Sequence, residues 1–179
     1  VDEGLSLPLS ALNALRRQVL EKLSQERARP PERKTGEYHP GVRYENPKAP
    51  PALTVSVRRC EQITPELLAL KPERIYLPCD EGAACPDAVR RCQEAGIAVS
   101  VQLPRICWDR ELPQLEQQLN AVKELGVQEA LAGTLDGVRR ARELGFQVRS
   151  DFGIGVYNSQ TLKELKKLGV EGATASFEL

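Results

Sequence analysis

Val148-Arg149-Ser150-Asp151-Phe152-Gly153-Ile154-Gly155-Val156-Tyr157-Asn158-Ser159 reads as a strand that stops at a glycine-spaced polar turn and hands over to a helix beginning near Ser159. Gly153 and Gly155 let the backbone bend sharply or take positive φ. Asn158 and Ser159 are good N-cap types, because their side-chain oxygens can accept from the first free helical N–H groups. In a chain of alternating strands and helices, such a turn lies at the carboxyl end of its strand, where ligands bind in barrel and open-sheet α/β folds alike.

Outward from this stretch, the same alternation runs through the chain from Leu53 onward. Short β-rich runs stand at 53–57, 74–77, 98–103, 129–132, 148–151 and 172–177, with helical segments at 63–70, 86–95, 112–125, 135–144 and 161–168 between them. Four helical segments end on a glycine just before the next strand: Ala95-Gly96, Leu125-Gly126, Leu144-Gly145 and Leu168-Gly169. A glycine past the last helical turn is the usual C-cap, and strands alternating with helices imply a parallel sheet. No GxGxxG turn is present, so a partial (βα) TIM-type barrel is expected over 52–179 rather than a doubly wound sheet. About six parallel strands fit, whereas a closed barrel of this type takes about eight. The open edges need cover from the rest of a parent chain or from a second copy.

Before the barrel, 1–29 reads as an amphipathic helix. Leu12, Leu15, Val19 and Leu23 form an apolar stripe at spacings of three and four, beside Arg16, Arg17, Glu21, Lys22 and Glu26. Pro30-Pro31 ends it. The segment 30–51 is rich in proline, glycine and charge and reads as a linker or arm. Residues 16–48 hold nine Lys or Arg against five Glu, a basic stretch compatible with RNA contact, although mixed-charge segments more often form a solvated arm. His39, the sole histidine, stands in the turn Tyr38-His39-Pro40-Gly41, with no partner in sequence that would make it a catalyst.

Composition narrows the class. Apolar residues at 41% and charged residues at 28% describe a soluble globular chain, and zero net charge removes global steering toward nucleic acid or anionic membrane. No apolar run approaches the roughly 20 residues of a membrane helix. The expected location is cytoplasmic. The five cysteines, Cys60, Cys79, Cys85, Cys92 and Cys107, form no CxxC pair and make an odd count, so reduced thiols are expected. Cys79, Cys85 and Cys92 are spaced by six and seven, which matches no closed zinc or iron–sulfur pattern, and no metal ligand is assigned. Methionine is absent, even at position 1, and the chain reads as an internal piece of a longer protein.

In a βα barrel, polar residues just past each strand converge on one mouth. They are Arg58 and Arg59, Asp80 and Glu81, Arg105, Thr134, then Asp151, Tyr157 and Asn158, and finally Glu178. Arg105 and Asp151 lead the ligand-binding candidates, followed by Tyr157, Asn158, Ser159, Asp80 and Glu178. Arginine there would fork onto a carboxylate or phosphate. No catalytic residue can be assigned. Trp108 reads as the anchor of a rim loop.

Ser10-Ala11-Leu12-Asn13-Ala14-Leu15-Arg16-Arg17, Leu103-Pro104-Arg105-Ile106, the stretch Asp151 to Ser159, and Ala175-Ser176-Phe177-Glu178-Leu179 together resemble the collagenase-like peptidases of family U-thirty-two, specifically their long bacterial members. There a helix-rich insert precedes a second βα-barrel region. Gly155 stands where that family tends to have asparagine, and Phe177 where it tends to have proline. The resemblance implies a parent protein acting in peptide hydrolysis or in hydroxylation of tRNA, ribosomal RNA or ubiquinone precursors. It also implies a four-cysteine iron–sulfur cluster in the parent, with prephenate as oxygen source in the RNA branch. None of the five cysteines here matches that cluster, so this segment is expected to carry no cofactor of its own and not to be catalytic alone. Two other readings stand beside it: a noncatalytic module binding RNA or a partner protein through the basic helix and arm, and a phosphate-binding barrel enzyme using the Gly153–Gly155 turn and the following helix N-terminus.

Overall fold

A computed structural model describes residues 6–37 and 50–179. The chain divides into two compact units, 1–40 and 41–179. In the first, α1 runs Leu9–Ala28 and none of its residues is buried. Its stripe is therefore open, with Leu15 at 58% and Val19 at 56% exposure. Pro8 is the N-cap, and the last helical residue, Ala28, precedes Pro30-Pro31 as proline chemistry requires. His39 and most of the arm lie outside the described residues.

The second unit is a six-stranded sheet in the order β1 to β6, every neighbouring pair parallel. The strands are β1 (Thr54–Ser56), β2 (Arg74–Pro78), β3 (Ala98–Gln102), β4 (Glu129–Ala132), β5 (Gln147–Ser150) and β6 (Val170–Ala173). The intervening helices are α2 (Pro65–Ala69), α3 (Cys79–Ala84), α4 (Pro86–Glu94), α5 (Leu112–Glu124), α6 (Leu135–Glu143) and α7 (Ser159–Lys167). Consecutive strands pair with one another, and the sheet curls into a half-barrel.

The repeat works because each glycine reverses the chain at the same point. Gly96, Gly126, Gly145 and Gly169 all have positive φ, between 73° and 85°. This left-handed turn allows Ile97, Val127 and Phe146 to donate back to Cys92, Val122 and Ala141 and to drop into the core.

Alternation along the strands then separates two faces. Leu77 and Val101 approach Gly82 of α3, and Ala132 approaches Gly137 of α6, so this face meets the helices. With Ile75, Val148, Leu119, Val122 and Val138 it forms the core. The opposite face carries Arg74, Tyr76, Ala98, Ser100, Gln102, Glu129 and Arg149. There Arg74 and Glu129 pair across β3, Nε to Oε2 at 2.7 Å and Nη2 to Oε1 at 3.0 Å, although the first contact lies outside hydrogen-bond angles. Register explains the reach: Arg74 is level with Ala98, and Glu129 with Ser100, two small residues on the bridged strand. Burial opposes the Arg74 charge, but the Glu129 hydrogen bond and charge outweigh it and hold the guanidinium pKa above its ordinary value.

Three expectations change. The segment after β2 is helical at once, as α3. The last strand begins at Val170 and ends at Ala173 rather than spanning 172–177, because the turn at Gly169 feeds directly into it; farther on, only Ala175 still bridges, to Val156. The thiols are not all reduced: Cys60 and Cys85 form a disulfide, their Cα atoms 6.4 Å apart. Among the described residues, no helix is long and apolar enough to cross a membrane.

Candidate functional site

Parallel strands put the loops after β1 to β6 at one end of the sheet, and Arg105 and Asp151 both lie there. Gly133, just past β4, is the hinge between them. A Cβ on Gly133 would stand 3.4 Å from Arg105 Cγ and 3.9 Å from Asp151 Cβ. The Arg105 guanidinium carbon lies 4.7 Å from the ring centroid of Phe152, and that ring in turn meets Phe177 at 5.1 Å. Gly153 completes the cradle: a Cβ there would be 2.8 Å from the Gly133 carbonyl oxygen and 2.9 Å from Arg105 Nη2. Arg105 makes no ion pair among the described residues and is exposed. A guanidinium stacked on an aromatic ring keeps its fork of N–H donors for a planar anion.

Asp80, at the start of α3, shares with Arg105 a rim cavity of about 440 Å³, also lined by Gln102, Cys107 and Gln118. Cys79 opens onto the same cavity, but its sulfur is buried and contacts Gln118 Oε1 at 3.7 Å. Burial, helped by the Asp80 carboxylate, pushes the Cys79 thiol up to about 12. It stays protonated at neutral pH and is neither nucleophile nor ligand there. Burial and then Glu111 also raise the Cys107 thiol above its ordinary value.

The other candidates are committed to local structure. Asp151 is 8% exposed and its Oδ1 accepts from Phe152 N at 2.8 Å, capping a short 3₁₀ turn over Phe152–Ile154. Asn158 is the N-cap of α7, its Oδ1 accepting from Gln160 N and Thr161 N, both at 3.0 Å. Ser159 is the first helical residue and is exposed. Those two amides of α7 and the Phe152 amide are thus already satisfied by protein oxygens, which leaves the glycine turn with fewer donors for an anion. Tyr157 donates to Glu178 Oε2 at 3.1 Å, which brings these two candidates together on the exposed side of the turn.

The residues that the sequence pattern does not single out are Phe152, Gly133 and Gln102. Phe152 follows Asp151 directly, and an aromatic just past a strand end beside a rim arginine is the signal that marks it.

No family model matches the chain, and no curated protein is significantly similar to it.

Proposed function

We propose that this chain is the partial-barrel segment of a longer protein of the collagenase-like peptidase type, which takes part in RNA hydroxylation or peptide hydrolysis and is not catalytic alone. Its contribution is a rim that recognises a polar, anionic ligand through Arg105. One observation carries this reading: Arg105 is held between Phe152, Gly133 and Gly153 with no ion pair among the described residues, at the mouth of the cavity that Asp80 and Gln102 line. A free guanidinium preorganised by stacking costs little entropy to engage a carboxylate or phosphate. The polar inner face and the two edge strands, β1 and β6, suit closure by other strands of the parent protein.

The test has two arms. Calorimetric titration of the protein with a small dicarboxylate and with inorganic phosphate should show binding that Arg105→Ala abolishes and Arg105→Lys weakens, since lysine cannot fork. In the full-length parent protein, Arg105→Ala should lose activity while retaining its circular dichroism spectrum. Wild-type activity in that variant, or equal anion binding, sinks the assignment.

A further inference from the structure

We propose a second site, independent of the Arg105 rim: when reduced, Cys60, Cys85 and Glu81 bind one thiophilic divalent cation of the zinc class, and the Cys60–Cys85 disulfide is the metal-free form of that site. The three side chains come from consecutive βα loops. Cys60 starts the 3₁₀ turn after β1, Glu81 lies on α3, and Cys85 joins α3 to α4. Their sulfur and carboxylate ligand atoms all lie within 4.8 Å of one another. On one tetrahedral zinc with Zn–S near 2.3 Å, two thiolates stand about 3.8 Å apart, and a carboxylate oxygen sits at a similar distance from each. Reduction frees the two bonded sulfurs to move apart toward that spacing, beside the Glu81 carboxylate. The Cα separation of 6.4 Å suits both states, a disulfide and a pair of ligands.

Glu81 is already aimed. Its Oε2 accepts from the Cys60 backbone N–H at 2.8 Å, which fixes the carboxylate against the sulfur pair, the kind of supporting bond that orients metal ligands. Cys60 is 7% exposed, while Glu81 and Cys85 are half-buried, so the ligand set is shielded yet reachable. A surface cavity of about 340 Å³ lined by Cys60, Cys85, Glu61 and Asp87 opens beside it, with Arg91 at its side. Of the two carboxylates at this entry, Asp87 is paired with Arg90 at 2.8 Å. Three protein ligands leave the fourth tetrahedral position to water or to a donor from another molecule.

The two forms interconvert with balanced chemistry. A dithiol reductant transfers two electrons and two protons: the Cys60–Cys85 bond breaks, both sulfurs become thiols, and the reductant closes to its own cyclic disulfide. The cation then displaces the two thiol protons as it binds. A small-molecule disulfide reverses this by thiol–disulfide exchange: the two thiolates lose two electrons to form the Cys60–Cys85 bond, the oxidant takes these and two protons and leaves as two thiols, and the ion is released.

The experiment uses Co²⁺ on the whole 179-residue chain after reduction with a trialkylphosphine, which itself does not compete for the metal as a thiol would. Phosphine is oxidised to its oxide, taking oxygen from water. The reduced protein should gain thiolate-to-cobalt charge-transfer absorption at one equivalent, reversed by Zn²⁺. The oxidised protein should show none, a comparison that needs no substitution and so no refolding control. Cys60→Ser and Cys85→Ser should each abolish the charge-transfer band, Glu81→Gln should weaken binding by roughly 10- to 100-fold, and Cys107→Ser should change nothing. No cobalt spectrum in the reduced wild type overturns the site. So does a spectrum that survives Cys60→Ser or Cys85→Ser in protein with wild-type circular dichroism.

Discussion

Arg105 lies over Phe152, guanidinium carbon to ring centroid 4.7 Å, and the arginine is pressed against the side-chain-free backbone of Gly133 and Gly153. The arginine comes from the loop after β3 and the ring from the loop after β5, so their contact ties together two loops that flank β4. Glycine at 133 and 153 is what lets them close. The contact itself is worth about 0.5–1 kcal/mol at an exposed site, too little to hold the loops without the backbone fit.

Gly153→Ala tests that fit. The added methyl would meet the Gly133 carbonyl oxygen at 2.8 Å as well as Arg105 Nη2 at 2.9 Å. The side chain can move away but the carbonyl cannot without shifting its loop. A loss of roughly 1–3 kcal/mol is expected from such overpacking, read as a lower urea midpoint, together with weaker anion binding at the rim. An unchanged midpoint with full anion binding would show that the cradle is looser than its geometry implies.

The pair beneath the rim gives a second prediction. Arg74 and Glu129 are 10% and 22% exposed at their side chains and bridge β2 to β4. Glu129→Leu leaves a buried guanidinium whose remaining carboxylate partner among the described residues is Glu73, at 3.2 Å and largely exposed. Breaking a buried pair from one side costs about 3 kcal/mol or more. The double variant Arg74→Met with Glu129→Leu should recover most of that loss, because no uncompensated charge remains. Urea melts of the single and double variants decide it; a double variant as unstable as the single would mean the pair itself, rather than the stranded charge, supplies the stability.

Much of this fold is legible in the sequence because one local device recurs. A glycine after each of α4 to α7, followed by an apolar residue after the first three and by Val170 after the last, fixes both the end of the helix and the start of the strand, and parallel order follows from alternation. The segment Cys79 to Ala84 escapes that logic, since six residues are too few to show a helical period and α3 starts directly after Pro78. Gly172 misleads for another reason. It looks like a strand boundary, but it is inside β6 opposite Arg149, whose guanidinium occupies the space a Cβ would need. At the rim, Arg105 and Asp151 are legible from position alone, whereas the stacking of Arg105 on Phe152 depends on the course of two loops. The Cys60–Cys85 partnership spans 25 residues and two consecutive loops. Ligand-spacing rules that count along one loop do not register it.

Asn158 illustrates how a candidate ligand becomes a structural residue. Its Oδ1 takes the Gln160 and Thr161 amides, and also lies 3.3 Å from the Thr161 hydroxyl. Asn158→Ala should therefore lower stability by about 1 kcal/mol, the usual worth of an N-cap, while Asn158→Asp should hold. Ser159→Ala, at an exposed first-turn position, should stay within about 0.5 kcal/mol of wild type. Thermal melts of the three variants check it. Equal melting of Asn158→Ala and wild type would free this side chain for another role.

The Cys79 thiol makes stability depend on pH at the alkaline end. Its ordinary value is 9.0, and in the fold burial first, then the Asp80 carboxylate, push it up to about 12. Above 9.0 the unfolded chain releases this proton while the folded chain keeps it, so the unfolded state binds fewer protons and stability falls as pH rises. The contribution is fully present below the unfolded value and is lost through the folded one, at up to about 1.4 kcal/mol per pH unit. Cys79→Ala should flatten the decline relative to wild type when urea midpoints are compared between about pH 8 and about pH 10.5. The buried Cys92 thiol, also raised by its burial, remains in both proteins and cancels in the comparison. Because the thiolate is the reactive form, Cys79 should also resist alkylation in the folded chain and react once urea unfolds it. Parallel pH profiles in the two proteins, or rapid alkylation of Cys79 in the native state, would place that sulfur in contact with solvent instead of with Gln118.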